Sequence, residues 1–551
     1  MTTAGPIPVP PDFPVLWATP DDERMFWFQD NLHFPVPVTP MNATLFQTAF
    51  AEGTSRAISK LSMPIVGLRT TVQNGYLYIG PIPVHEPPEV MEARFEEMKR
   101  LTMELGATVL HDWRTQFEPK VLRLAARVLE FDFAGATTQE AAALVASLRS
   151  DLVEVWDIHM RVNIPPMNAV FGLEEFLSHA VGEEGVTQAR QLLQGFDNKS
   201  VALGRELWAL SRWVRSIDGL AAAVQAARVR EGQVELEHPH AADFVERLRA
   251  FLEVYGWRSD VFGEFGNPSW REDPSTPLVQ LKGFIAKDDA ADPLASHGEQ
   301  AASRERLTAE LAARLPEAMR PQFHGMLGMA QQYVPIAEDH NFTIDQKYTT
   351  VVRHGLLELG RKLAQDGRLA QADDVFYLTL DDIGGVAAGS TSSLQDQARG
   401  GRQRFVAQAR ITPPPALGTP PPPDMPPDPL VTKFFGFGAP VSSDPKLITG
   451  YPASSGVVTG IARVVMTLDQ ADKLEAGDIL VCRMTMPAWT PLFGIAGGIV
   501  ADSGGPLSHC AIVAREYRLP CVTGTQVGTS LIKDGMRLRV DGSTGRVQIL
   551  D

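Results

Sequence analysis

The chain has 551 residues and a formal net charge of -16, which argues against nucleic acid or an anionic membrane surface as its main partner. Its composition, 44% apolar and 21% charged, is that of ordinary globular material. The length exceeds what one compact core supports, so roughly two to four domains are expected.

Three cysteines (Cys482, Cys510, Cys521) form no CxxC pair and suggest no disulfide framework. The opening MTTAGPIPVPPDFP lacks the basic and apolar regions of a signal peptide, and no apolar run is long enough to span a bilayer. A reduced, cytoplasmic protein is expected.

The first eighty or so residues carry prolines and short extended pieces such as TTVQNGYLYIG. From Gln139 to Asn163, Leu144, Leu148, Leu152, Val155 and His159 fall at helical spacing, with Arg149, Asp151 and Glu154 off the stripe. On that stripe His159 reads as a core histidine. Trp156, Met160, Met167 and Phe171 fit either core or the wall of a pocket for an aromatic ring.

In AEDHNFTIDQKYTTVVRHG, Asp339, Gln346 and Arg353 recur every seventh residue, as do His340, Lys347 and His354. On one continuous α-helix each trio shares a face. That face is either solvated surface or a binding site. In the second case His340 or Asp339 is a general base and Arg353 a phosphate contact. A helix over Asp345–Ala364 buries Tyr348, Val352, Leu356, Leu359 and Leu363, and GRLAQADDVFYLTLDDI after it reads as a helix-to-strand transition. Residues 1–410 thus predict one large, helix-rich α+β domain.

Ten prolines stand between Pro413 and Pro429, which favours polyproline II over helix or sheet interior. Residues 411–445 are expected to be a linker, either an inert tether or a stiff arm for a domain that travels. Beyond it, GVVTGIARVVM, GDILVCRM, GGIVAD, CVTG, RLRVDG and RVQIL read as strands, with a helix from His509 to about Arg518. Residues 446–551 predict a compact β/α domain.

The chemistry concentrates in GGPLSHCAIVARE. Gly504 and Gly505 allow a left-handed backbone and a concave nest of N–H groups. Ser508 is placed to cap a helix whose first turn holds His509. That end favours an anion, and an imidazole nitrogen is a competent nucleophile toward phosphorus. The alternative is a capped structural helix with an exposed histidine. No second histidine or carboxylate lies at ligand spacing, so no metal ligand set is expected. His509 and Cys510 project about 100° apart on a helix, which disfavours a Cys/His pair.

The pieces PASSGVVTGIARVV, GDILVCRMTMPAWTPLF, GGIVADSGGPLSHCAIVAREYRLPCVTG and KDGMRLRVDGSTGRVQIL resemble, in order and spacing, the swivelling phosphohistidine domain of the phosphoenolpyruvate-utilising enzymes. The resemblance implies that His509 is the phosphorylated residue, with Cys510 where alanine is common. Arg515 belongs to the family's AR(E) signature. It points about 600° round the helix from His509, whereas Glu516 returns to the same face. Arg515 therefore either clamps a phosphate or fixes the domain structurally.

No Walker A sequence or ATP-grasp glycine loop is evident, nor the β/α alternation of a phosphoenolpyruvate-binding barrel. FLEVYGWRSDVFGEFGNPSWREDP and VVRHGLLELGRKLAQDGRLAQADDVFYLTLDDI resemble the substrate-binding domain of rifampicin phosphotransferase and phenol-phosphorylating relatives, with Trp257 departing from the polar residue expected in GxR. The resemblance, closest to the phosphohistidine subunit of phenylphosphate or 4-cresol phosphate synthase, implies a partner ATP-grasp subunit holding ATP and Mg²⁺. It also implies a phenolic acceptor; on the residue patterns above, Trp156, His159, Asp339, His340 and Arg353 are the candidate substrate-binding residues. An antibiotic phosphotransferase component and a non-catalytic phospho-relay protein are the alternatives.

Overall fold

The structure is a computed structural model that describes residues 5–31, 33–182, 184–287, 292, 297–421, 442, 444 and 446–550. The chain forms two compact units. One comprises Met1–Ala189, Val261–Asn267 and Leu315–Met425, the other Arg190–Asp260, Pro268–Arg314 and Pro426–Asp551. These units do not follow the expected division at residues 410 and 446.

The first unit is helical around a small antiparallel sheet. Its strands run in the spatial order Ile65–Gln73, Tyr76–Pro83, Phe26–Gln29 and Ala416–Gly418. Asn74 and Gly75, at φ 49° and 84°, turn the first hairpin, since a tight two-residue turn needs left-handed backbone that Asn-Gly supplies cheaply. The fourth strand lies in the stretch expected to be a linker: Leu417 is paired with Trp27 and buried. The start of the proline-rich stretch is thus sheet edge, where missing N–H donors are tolerated. Residues 422–441, the bulk of the expected arm, lie outside the described residues.

The Thr138–Val181 helix is the spine of this unit. It begins at a capping box of Thr137 and Glu140, which satisfies free N–H groups at both ends of the motif. Leu148, Leu152, Val155 and His159 are buried as the stripe predicts, and Leu144 is half-buried. The Arg320–His340 helix continues through a π-helical segment, Asn341–Tyr348, into the Thr349–Gln365 helix. Tyr348, Val352, Leu356, Leu359 and Leu363 are buried, so the predicted apolar face holds.

The strand expected in GRLAQADDVFYLTLDDI is absent. Its place is taken by a 3₁₀ turn over Ala372–Tyr377 and a helix over Leu380–Ala387. Thr379 Oγ1 accepts the Asp382 N–H, and the Asp382 carboxylate accepts from Thr379 N. This reciprocal cap outweighs the β-propensity of the preceding aromatic residues.

The second unit holds an eight-stranded sheet. Its order is Leu447–Thr449, Arg546–Ile549, Arg537–Asp541, Val457–Val464, Ile479–Cys482, Gly498–Ala501, Cys521–Thr523 and Tyr451–Ser454. The Val457–Val464, Ile479–Cys482, Gly498–Ala501 and Cys521–Thr523 strands are mutually parallel. ILVC and GIVA are buried at every position, as parallel strands covered on both faces must be. Ile479, Val481, Val500 and Val522 face a layer with Leu538 and Val540. Leu480, Cys482, Ile499 and Ala501 face the helix layer.

That helix layer explains why the unit begins at Arg190. Leu207, Trp208, Phe244, Leu248 and Phe284, from helices between Lys199 and Ile285, share one apolar core with Leu492, Phe493 and Val513. The approach is close. A Cβ on Gly283 would lie 2.1 Å from Ile495 Cδ1, and one on Gly494 would lie 2.4 Å from Phe284 Cε1. No helix among the described residues is long and apolar enough to cross a membrane.

Candidate active site

The His509–Glu516 helix follows the Gly498–Ala501 strand through a tight loop. Gly504 takes φ 92°, while Gly505 stays outside the left-handed region. One glycine rather than two therefore supplies the turn. Ser508 occupies the N-cap position, but its side chain does not cap the helix. Its hydroxyl instead donates to the Gly505 carbonyl at 2.8 Å. The serine thus tightens the loop instead of capping the helix, and a helix start favours an anion.

His509 is half-buried and bracketed by two hydroxyls. Thr485 Oγ1 lies 3.3 Å from Nδ1 and Thr490 Oγ1 lies 3.3 Å from Nε2. The Phe493 ring meets the imidazole edge-on at 6.2 Å. Burial, reinforced by the charge of Arg258 and opposed by Thr485, pulls the imidazole pKa down from 6.5 to about 3. The ring is therefore neutral at physiological pH, with a lone pair on one of its two nitrogens.

The sign of the linkage follows. Folding favours the neutral ring, so this residue costs no stability above pH 6.5. It withdraws stability as pH falls from there toward about 3. In an NMR titration His509 should remain neutral at about pH 5, where an unperturbed histidine is mostly protonated. A His509 midpoint near 6.5 would contradict the geometry.

Arg515 is buried, and its Nη1 donates to the Ala453 carbonyl at 2.9 Å and the Pro506 carbonyl at 2.8 Å. It ties the loop before His509 to the Tyr451–Ser454 strand. Glu516 is buried as well. It accepts from the Gly195 N–H at 3.2 Å and lies 3.8 Å from His297.

Arg258 belongs to the same unit, fully buried against Tyr255 and Trp270. Sequence reasoning passed over Thr485, Thr490 and Arg258. The threonines stand in the MTMPAWTPLF stretch that carries the family pattern, and Arg258 directly follows the departing Trp257. Those were the available signals.

In the first unit the structure rearranges the expected acceptor site. His340 is buried while Lys347 and His354 are half-buried, and Asp339 is half-buried while Gln346 and Arg353 are buried. Neither trio keeps one face, because the π segment between them has a wider turn and rotates the helix register. Arg353 donates to the Phe265 carbonyl and lies over the Phe376 ring at 4.8 Å. Its guanidinium is engaged in that buried contact.

The carboxylate beside the histidines is Asp345, not Asp339. Asp345 Oδ1 lies 3.3 Å from His159 Nε2, and the His159 and His340 rings are 4.6 Å apart. Burial lowers the His340 pKa to about 4. Trp156 packs on His159 at 4.5 Å and meets Phe46 at 5.5 Å, Phe50 at 4.7 Å and Phe262 at 6.4 Å. His159 is buried but not satisfied, since its Nδ1 has no hydrogen-bond partner among the described residues.

Comparison with known proteins fits this geometry. Residues 474–545 match the family model described as "PEP-utilising enzyme, mobile domain". Within that matched stretch His509 opens the helix beside the glycine turn. Residues 159–338 match the rifampicin phosphotransferase fourth domain.

Among curated relatives, chondramide synthase cmdD of Chondromyces crocatus is 34% identical over 99% of this chain and 14% of its own length. The uncharacterized phosphotransferase YvkC of Bacillus subtilis is 26% identical over 97% of this chain and 63% of its own. A rifampicin phosphotransferase of Streptomyces sviceus is 33% identical over 57% and 35%. The chain thus spans less than two thirds of each of these relatives.

Proposed function

We propose that this chain is the phosphohistidine-bearing component of a phosphotransferase, in which His509 accepts a phosphoryl group and passes it to an organic hydroxyl. The observation that carries this reading is a neutral imidazole at a helix start that the Ser508 side chain does not cap. A lone pair of the His509 ring attacks phosphorus and forms the P–N bond, while the donor P–O bond breaks toward the leaving oxygen. The new negative charge meets the first-turn N–H groups and the field of Arg258. In the second half the acceptor oxygen attacks phosphorus, its proton leaves to a base, and the P–N electron pair returns to the ring.

The donor is ATP with Mg²⁺ on a partner ATP-grasp subunit, which supplies the phosphoryl group. The acceptor is a phenol or 4-cresol type hydroxyl; one water takes the second phosphoryl group, so that ATP, the hydroxyl and water give aryl phosphate, AMP and phosphate. Support for an aromatic acceptor is the cluster of mutually packed rings, Phe46, Phe50, Trp156 and Phe262, beside His159 in the first unit. A second reading, a larger antibiotic-like acceptor, draws on the name of the rifampicin phosphotransferase relative.

The test mixes the chain with an ATP-grasp partner, labelled ATP, a panel of phenols and a rifamycin. Label moving to a small phenol supports the first acceptor class, and label moving only to the rifamycin supports the second. Label that reaches protein but no hydroxyl compound would overturn the transferase reading in favour of a relay protein.

A further inference from the structure

The Thr138–Val181 helix contributes His159, the Arg320–His340 helix contributes His340, and the adjoining π segment contributes Asp345. All three residues are buried, and one ligand-type atom from each lies within 4.8 Å of the others. π-helical insertions recur at functional sites because they re-aim side chains that a regular helix would point elsewhere. Here the insertion turns Asp345 toward two histidines distant from each other in the chain.

We infer that His159, His340 and Asp345 form a site for a divalent transition-metal ion of the Zn²⁺ class. The 3.3 Å between His159 Nε2 and Asp345 Oδ1 is the edge of a tetrahedron with bonds of about 2.0–2.1 Å. The pair is not aligned as a hydrogen bond, for Asp345 Oδ1 has no hydrogen-bond partner among the described residues. A structural ion pair would leave that buried oxygen satisfied.

His340 Nδ1 lies 2.6 Å from the Ile336 carbonyl, which fixes the proton there and leaves Nε2 as a lone pair. Metal-binding histidines are held by this kind of bond from the other ring nitrogen. An ion drawing all three atoms to bonding distance shortens the 4.8 Å limit of the present cluster. Two imidazoles and one carboxylate select Zn²⁺ or a similar ion over Mg²⁺, which prefers oxygen ligands. Three protein ligands leave a fourth position open to an oxygen ligand. The inference does not depend on phosphoryl transfer by His509.

The test strips the full chain with a chelator and titrates it with Co²⁺ and Zn²⁺, followed by metal analysis and the Co²⁺ visible spectrum. One equivalent bound with a tetrahedral Co²⁺ spectrum is expected. Asp345→Asn and His159→Gln should each lose that ion, while His509→Ala keeps it. X-ray absorption of the wild-type Zn²⁺ complex should show imidazole nitrogen and oxygen with no sulfur, a readout that needs no variant to fold. A folded chain that binds neither ion, binding that both ligand variants leave intact, or a sulfur-containing shell would overturn the site.

Discussion

His509→Ala is expected to lower phosphoryl transfer to any acceptor by roughly 10⁴–10⁶-fold, the scale on which a covalent nucleophile is lost. The fold should survive. The imidazole is half-buried and touches Thr485 and Thr490 through 3.3 Å contacts to flexible hydroxyls. Losing such contacts costs about 1–3 kcal/mol, whereas the flanking strands are anchored by cores on both faces. Turnover and thermal unfolding measured on the same preparation separate the two effects. Transfer near the wild-type rate would remove His509 from the chemistry.

The second large effect is expected at Arg515. Arg515→Ala leaves the Ala453 and Pro506 carbonyls without their shared donor in a buried setting. At about 1–3 kcal/mol for each of the two groups, the loss is roughly 2–6 kcal/mol. The Pro506–His509 loop is released from the Tyr451–Ser454 strand, and a displacement of about 1 Å at a nucleophile lowers rate by about 10²-fold. A phosphate clamp would behave differently: its loss would weaken donor binding while thermal stability stayed unchanged. Equal unfolding temperatures for Arg515→Ala and wild type would favour the clamp over the positioning role.

The C-terminal sheet was legible because its strands are short, apolar and separated by glycines, so period and punctuation agree. GDILVCRM and GGIVAD became the buried Ile479–Cys482 and Gly498–Ala501 strands. The helix from His509 ends at Glu516, and Arg518 adopts φ 53°. Its start and its histidine were readable, but the redirection of the Ser508 hydroxyl toward Gly505 was not, because a cap and a loop tie use the same residue type.

Long-range packing was hidden. Nothing local in the Lys199–Arg215 or Ser275–Ile285 helices shows that their apolar faces meet the C-terminal sheet. The heptad spacing of Asp339, Gln346 and Arg353 assumed an unbroken α-helix, and the π segment at Asn341–Tyr348 removed that premise. Asp345 then displaced Asp339 as the carboxylate beside His159 and His340. A short run of wider turns has no compositional signature, so the sequence named the two histidines without showing that they meet.

The central claim is tested most directly by locating the phosphoryl group. The full chain is incubated with ATP and an ATP-grasp partner, quenched in alkali and digested for mass spectrometry without acid exposure. One phosphate on the peptide containing His509, lost on acid treatment, is the expected result. A stoichiometric, acid-stable phosphate on another residue, with His509 unmodified, would contradict it.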